Sequence, residues 1–241
     1  MNQFVYCAIF LIILIHCKTD SPTIAQKNSP SNQKSKIIEN VKIQKFEPYA
    51  EDAISKAYKI EGWEVEWHNN EKDRDKVLSY LSEGLKLICK TIPKTSCNRV
   101  KKFTISFNEN PDKGAAGIYL GGRVTIYSKK AFLDDTLHIL FHEIAHGFDE
   151  SILQVSDIPI GIAYSNAMTK QIYGKVNWEE VNYYNLDGNY LTSNMNEYFA
   201  ELSCAYFFGL NYFPYNKETL KKVDPEGYQA IQDAWSLLEN N

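Results

Sequence analysis

The sequence predicts an α+β domain with two lobes, a small mixed sheet followed by helices. Three observations predict it. Short alternating segments (Trp63–Trp67, Phe103–Phe107 and the stretch around Gly121-Gly122) fall in the first half of the chain. Apolar residues at helical spacing occupy Asp75–Thr91 and Asn194–Phe208, and the apolar run Leu137–Glu150 lies where strands give way to helices. A chain of 241 residues with 44% hydrophobic and 13% aromatic content can bury one sizeable core.

The first 17 residues read as an export signal. Phe4–Ile15 is an unbroken apolar run, too short to span a bilayer and of the length of a signal-peptide core. Leu14-Ile15-His16-Cys17 resembles a bacterial lipoprotein signal, which would lipidate Cys17 and tether the chain to a membrane. Secretion with cleavage after Ala25 is the other reading. Residues 18–36, rich in Ser, Pro, Asn, Gln and Lys, read as a disordered tether, and residues 37–241 as the folded domain. The expected location is a secreted protein or a bacterial cell-surface or outer-membrane lipoprotein. A net charge of -4, with no basic cluster among aromatics, gives no reason to expect nucleic acid.

Within the domain, a helix is expected around Ala50–Ile60 and a strand over Trp63–Trp67. His68, in a polar stretch, reads as an exposed surface histidine. Val77, Leu78, Leu81, Leu85, Ile88 and Cys89 make Asp75–Thr91 an amphipathic helix, stopped by Pro93. Five cysteines are present and none forms a CxxC pair, which argues against a Cys-ligated zinc. Cys89 and Cys97 are spaced to close a short disulfide loop in an oxidising compartment. Phe103–Phe107 is a half-buried strand, and Gly114–Tyr127 reads as a hairpin around Gly121-Gly122. Asp134 or Asp135 is placed to cap the next helix.

That helix carries Leu-His-Ile-Leu-Phe-His-Glu-Ile-Ala-His-Gly-Phe-Asp-Glu at 137–150. His142 and His146 stand one helical turn apart on one face, so both imidazoles can bind one Zn²⁺ without bending the helix. Glu143, beside the first histidine, can take a proton from water held at the metal. The flanking residues are mostly apolar, and buried His and Glu need partners. A core helix whose histidines bond to carbonyls is the bland alternative. His138 lies a further turn back and reads as a packing or supporting residue, because a fourth protein ligand would close the position a catalytic zinc keeps for water.

The third ligand must come from elsewhere, since Asp149 and Ile152 stand where a metzincin needs Gly and His. Asn194–Phe208 places Glu197 and Glu201 on one face of an apolar helix. Two buried like charges need something positive beside them. The simplest reading makes Glu197 a zinc ligand and Glu201 the acceptor that orients a ligand histidine, with Asp149 a second supporting candidate. Cys204 reads as a buried small hydrophobe. Ala115, Ala116, Gly117, Ile118 and Tyr119 are candidates for a sheet edge that holds an extended substrate, or else for a Gly-rich bend in the sheet.

His-Glu-Ile-Ala-His-Gly-Phe-Asp at 142–149 and Asn-Glu-Tyr-Phe-Ala-Glu at 196–201 resemble the anthrax lethal factor-like gluzincin metallopeptidases, which include secreted Pro-Pro endopeptidases. Gly114–Tyr127 is similar to that family's edge-strand segment, and Leu220–Leu238 to its closing helix. The resemblance implies a zincin-like fold, one zinc per chain, and a tyrosine seven residues before the ligand glutamate that contributes to the oxyanion site, which here is Tyr190. It further implies an exported endopeptidase working through a Glu-activated, zinc-bound water on a protein or peptide substrate, expected as a monomer. A catalytically silent, surface-anchored binding lipoprotein on the same scaffold is the alternative. Ser151–Asn189, with Tyr164, Tyr173 and Trp178, is expected to shape the cleft.

Overall fold

The computed structural model describes residues 38, 40–52, 55–68, 72–110, 113, 115–153, 157–174 and 188–239. Cys17, the signal and tether, Gly114 and Trp178 lie outside the described residues. Among the described residues no helix is long and apolar enough to cross a membrane.

Alternation builds a mixed sheet. Strands β1 (Ala50–Glu51), β2 (Lys56–Ile60), β3 (Trp63–Trp67), β4 (Thr104–Phe107), β5 (Gly117–Leu120) and β6 (Arg123–Ile126) lie in the order β1-β2-β3-β4-β6-β5. The β3–β4 and β4–β6 pairs are parallel and the others antiparallel. In β3, Trp63, Val65 and Trp67 enter the core while Glu64 and Glu66 face outward, as a period of two requires. Val65, Ile105 and Val124 sit in register across the three central strands. On the outer face, Arg123 reaches across β4 to Glu66.

The helix expected around Ala50–Ile60 is instead the β1–β2 pair. Tyr58 and Ile60 alternate into the core, and the Glu61-Gly62 turn, both residues at positive φ, folds β2 back onto β3. His68 is half-buried at the end of β3, its Nε2 3.1 Å from Glu66, rather than an exposed surface residue.

Helix α1 (Arg74–Thr91) is followed by a short α2 (Lys94–Val100), and a disulfide joins Cys89 to Cys97 across Pro93. Ser128 caps α3 (Lys129–Asp134) by accepting from the Ala131 amide. Helix α4 (Thr136–Phe148) follows at once. Asp135 stands at its N-cap position, but the carboxylate makes no cap bond and lies 3.6 Å from His138 Nδ1 instead. A single π-helical turn, Asp149–Leu153, leads on towards α5 (Asp157–Thr169).

Helix α4 is the centre of the domain. It packs against β5, β6, α1 and α3 on one side and against α7 (Met195–Phe207) on another. Leu140, Phe141, Ile144, Ala145 and Phe148 are fully buried. Helix α6 (Gly188–Leu191) precedes α7, whose first turn is capped by Asn194 accepting from the Glu197 amide at 2.9 Å. The closing segment expected as one helix over Leu220–Leu238 is two, α8 (Lys217–Val223) and α9 (Pro225–Ser236). Pro225 has no amide to continue α8, and Asp224 caps α9 through Gly227. Trp235 on α9 stacks on Phe148 with ring centroids 4.0 Å apart and donates to Ser203 on α7, pinning both helices.

Tyr164 and Tyr173 lie in the segment expected to shape the cleft, of which residues 154–156 and 175–187 are outside the described residues. The Tyr164 hydroxyl donates to the Thr192 carbonyl, and Tyr173 and Tyr198 both donate to Asp224 Oδ2, at 2.8 and 2.6 Å. Asp224 thus serves two buried phenols and one helix cap. Asp224→Ala should lower stability by about 3 kcal/mol or more in a denaturant melt, with Asp224→Asn recovering part of the loss.

Candidate active site

The residues singled out in the sequence meet where α4 and α7 cross. His142 Nε2 lies 3.0 Å from His146 Nε2 and 3.0 Å from Glu197 Oε2, and His146 Nε2 lies 3.3 Å from the same oxygen. Glu197 Oε2 is buried and makes no directed hydrogen bond, although two imidazoles face it. Three ligands bonded tetrahedrally to zinc at ~2.0 Å would stand about 3.3 Å from one another. Two nitrogens and one carboxylate oxygen with that spacing are a donor set zinc takes, so these residues fit the ion.

A second group, His138, His142 and Cys204, also brings three donor atoms within 4.8 Å of one another. It is the poorer match. Burial pushes the Cys204 thiol up, away from the thiolate that binds metals. His138 Nε2 already contacts both oxygens of Glu201 at 3.2 Å. Cys204 is the buried small side chain expected from the sequence.

The Glu201 carboxylate is fully buried and stands behind His142. Its Oε1 is 3.0 Å from His142 Nδ1, in ion-pair contact but off the line of an N–H bond. Tyr212 donates to its Oε2. Burial would raise both glutamates, but His142 and His146 outweigh it at Glu197, and His138 followed by His142 outweighs it at Glu201, so both are held below the usual carboxylate range. Burial likewise opposes charge on His138, yet the Glu201 and Asp135 carboxylates hold it well above the usual imidazole value.

Glu143 lies on the cleft side of α4. Burial pushes its carboxyl up, against the pull of His142 and His146, while the Tyr119 amide is directed at it. It lines a cavity of about 640 Å³ together with His146, Asp149, Tyr190, Glu197 and the β5 residues Gly117, Ile118 and Tyr119. Tyr190 reaches the cavity from α6, with its ring centroid 5.9 Å from that of His142. Burial raises its phenol well above the usual value, keeping it protonated and able to donate. Asp149 ends α4 and lines the same cavity beside His146.

Strand β5 is the outer edge of the sheet, with Ile118 and Leu120 turned to solvent and Tyr119 turned inward. Ala115 and Ala116 form a bend that leads into it rather than part of the strand. Its approach to α4 depends on two glycines. A Cβ at Gly147 would meet the Tyr119 ring at 2.5 Å, and one at Gly117 would stand 3.1 Å from Glu143 Cγ and 3.2 Å from the Thr125 carbonyl.

Tyr212 had no sequence signal separating it from Tyr206 or Tyr215 nearby. His138 did have one, since it sits one turn before His142 on the α4 helix. Its partner, Glu201, became identifiable only when α4 and α7 were set side by side.

Residues 119–234 match the family model described as "Anthrax toxin lethal factor, N- and C-terminal domain". No curated protein and no solved structure matches the chain. The matched region contains β6, α4, α7 and every residue of the His142, His146 and Glu197 group.

Zinc added to the metal-free chain should raise its thermal midpoint, the stabilisation reaching about 4 kcal/mol at a thousandfold excess over Kd. His146→Ala and Glu197→Ala should each abolish that shift.

Proposed function

We propose, from the match of residues 119–234 to the anthrax lethal factor family, which includes zinc metallopeptidases, that the chain is a zinc-dependent endopeptidase. The observation that carries the proposal is the convergence of His142, His146 and Glu197 beside Glu143, at a cleft bordered by a sheet edge. The two-lobed, zincin-like arrangement belongs to the same proposal. So do export and a lipid anchor at Cys17, which rest on the sequence of residues 1–17 alone.

His142, His146 and Glu197 would hold the ion, and Glu201 would orient His142 from behind. Bound there, zinc supplies a Lewis acid that acidifies water and polarises a carbonyl. The chain's own groups do the rest. Glu143 takes the proton from the water that adds to the scissile carbonyl carbon, and returns it to the amine as the C–N bond breaks. Tyr190 donates its hydroxyl to the oxygen on which negative charge develops. The edge of β5, outermost among the described strands, pairs with an extended substrate through main-chain hydrogen bonds, which sets the carbonyl against Glu143 with little demand on side-chain identity.

The test is zinc content and cleavage of a broad peptide library, read by mass spectrometry, on the full chain and on Glu143→Gln. One zinc in each, with cleavage slowed by roughly 10²–10⁴-fold in the variant, is the expected result. Zinc without cleavage by either protein would favour a binding protein on this scaffold, and absence of zinc from both would sink the site. Tyr190→Phe should keep its zinc and lose about 10²–10³-fold in kcat. Gly117→Ala, which crowds Glu143 without touching a ligand, should keep its zinc and lose about 10²-fold in turnover.

A further inference from the structure

Behind the ligand histidine lies a chain of contacts that the reaction itself does not use. Asp135 Oδ2 is 3.6 Å from His138 Nδ1, and His138 Nε2 is 3.2 Å from each oxygen of Glu201. The Tyr212 hydroxyl donates to Glu201 Oε2, and Glu201 Oε1 faces His142 Nδ1 at 3.0 Å. Glu201 is fully buried and His138 nearly so. A lone carboxylate here would be free to swing about its last torsions, because a carboxylate–water contact cannot hold it where water does not reach. With His138 against both oxygens and Tyr212 donating to Oε2, the carboxylate is fixed and its Oε1 is left facing the His142 ring.

We propose that His138 and Tyr212 are positioning residues for the metal centre. They clamp Glu201 so that it holds the His142 ring with Nε2 turned to His146 and Glu197. Neither touches the reacting atoms. His138 sits on the same helix as His142, one turn back, and Tyr212 comes from the loop after α7, so the clamp ties that loop to the ligand helix. The glutamate and the two residues that hold it come from three different segments, so it is tertiary packing that sets the ligand's orientation. Cys204 donates weakly to the His138 carbonyl at 4.0 Å.

The inference rests on the zinc reading of the site, and the experiment separates the two. Zinc affinity is measured by competition with a chelator for the full chain, His138→Gln, Tyr212→Phe, Glu201→Gln and the His138→Gln/Glu201→Gln double variant, alongside the thermal midpoint of each metal-free protein. His138→Gln should weaken zinc binding about 10–100-fold, and Tyr212→Phe, which removes one oxygen and little packing, by a smaller factor in the same direction. In the Glu201→Gln background, His138→Gln should add little further loss, because its effect passes through Glu201. A merely structural His138 would lower the metal-free midpoint and leave zinc affinity unchanged. Wild-type affinity in His138→Gln and Tyr212→Phe, or fully additive losses in the double variant, would overturn the clamp while leaving the metal site standing. Failure of the unaltered chain to bind zinc would remove the site reading and the clamp together.

Discussion

The contact between α4 and α7 carries five ionisable side chains, three imidazoles and two carboxylates, in a space largely closed to water. A buried charge survives only when its counter-charge stands within a few ångströms. Each glutamate here is matched to histidines on the opposite helix, so the helices cannot slide. A slip of one residue would carry Glu201 about 1.5 Å along and ~100° around the helix axis, away from His142. The aromatic packing around Trp235 opposes such a slip from outside the site, as it grips Phe148 on α4 and Ser203 on α7 together. Packing and electrostatics thus specify one register.

The sheet contributes a surface to the site, and the histidines and glutamates come from the helices. Its parallel centre buries Val65, Ile105 and Val124 and leaves β5 at the rim, beside the one helix that bears the histidines. Strand and helix come this close only because Gly117 and Gly147 present no side chain between them. The Tyr119 ring fills the space that Gly147 leaves, and its hydroxyl contacts Ser151 in the π-helical turn beyond α4. Wall, floor and base of the cleft are therefore held by the same few contacts.

Much of this was legible in the sequence because the site is written in local periodicities. Residues one turn apart on a helix must share a face, so His142 with His146 and Glu197 with Glu201 could be paired before any fold was known. The hairpin at Gly121-Gly122 was readable for a similar reason, since its turn and its alternation are both local. The misreadings share a cause as well. Ala50–Ile60 has enough charge and alanine to pass for a helix, and only its partner strand across Glu61-Gly62 makes it a strand. Asp135 has the chemistry of a cap, but His138 offers it a charged partner in place of an amide. Tyr212 and Tyr190 sit among many other tyrosines. The bond of one and the position of the other exist only in three dimensions, and family resemblance alone had marked Tyr190.

The two rims of the sheet are unequally defended. At one end β1 is two residues long and bears Glu51, which Lys56 of its neighbour meets in an ion pair, so an incoming strand finds little to pair with. At the other, β5 is the last strand and carries Ile118 and Leu120, 44% and 72% exposed, with no lysine or proline among its four residues. Such a rim invites any extended chain, including another copy of this one. Among the described residues β5 lines the cavity with Glu143 and His146, so a chain paired along it would lie over both. Pairing with a copy of itself and occupancy of the cavity would then be one event, because the same strand borders both.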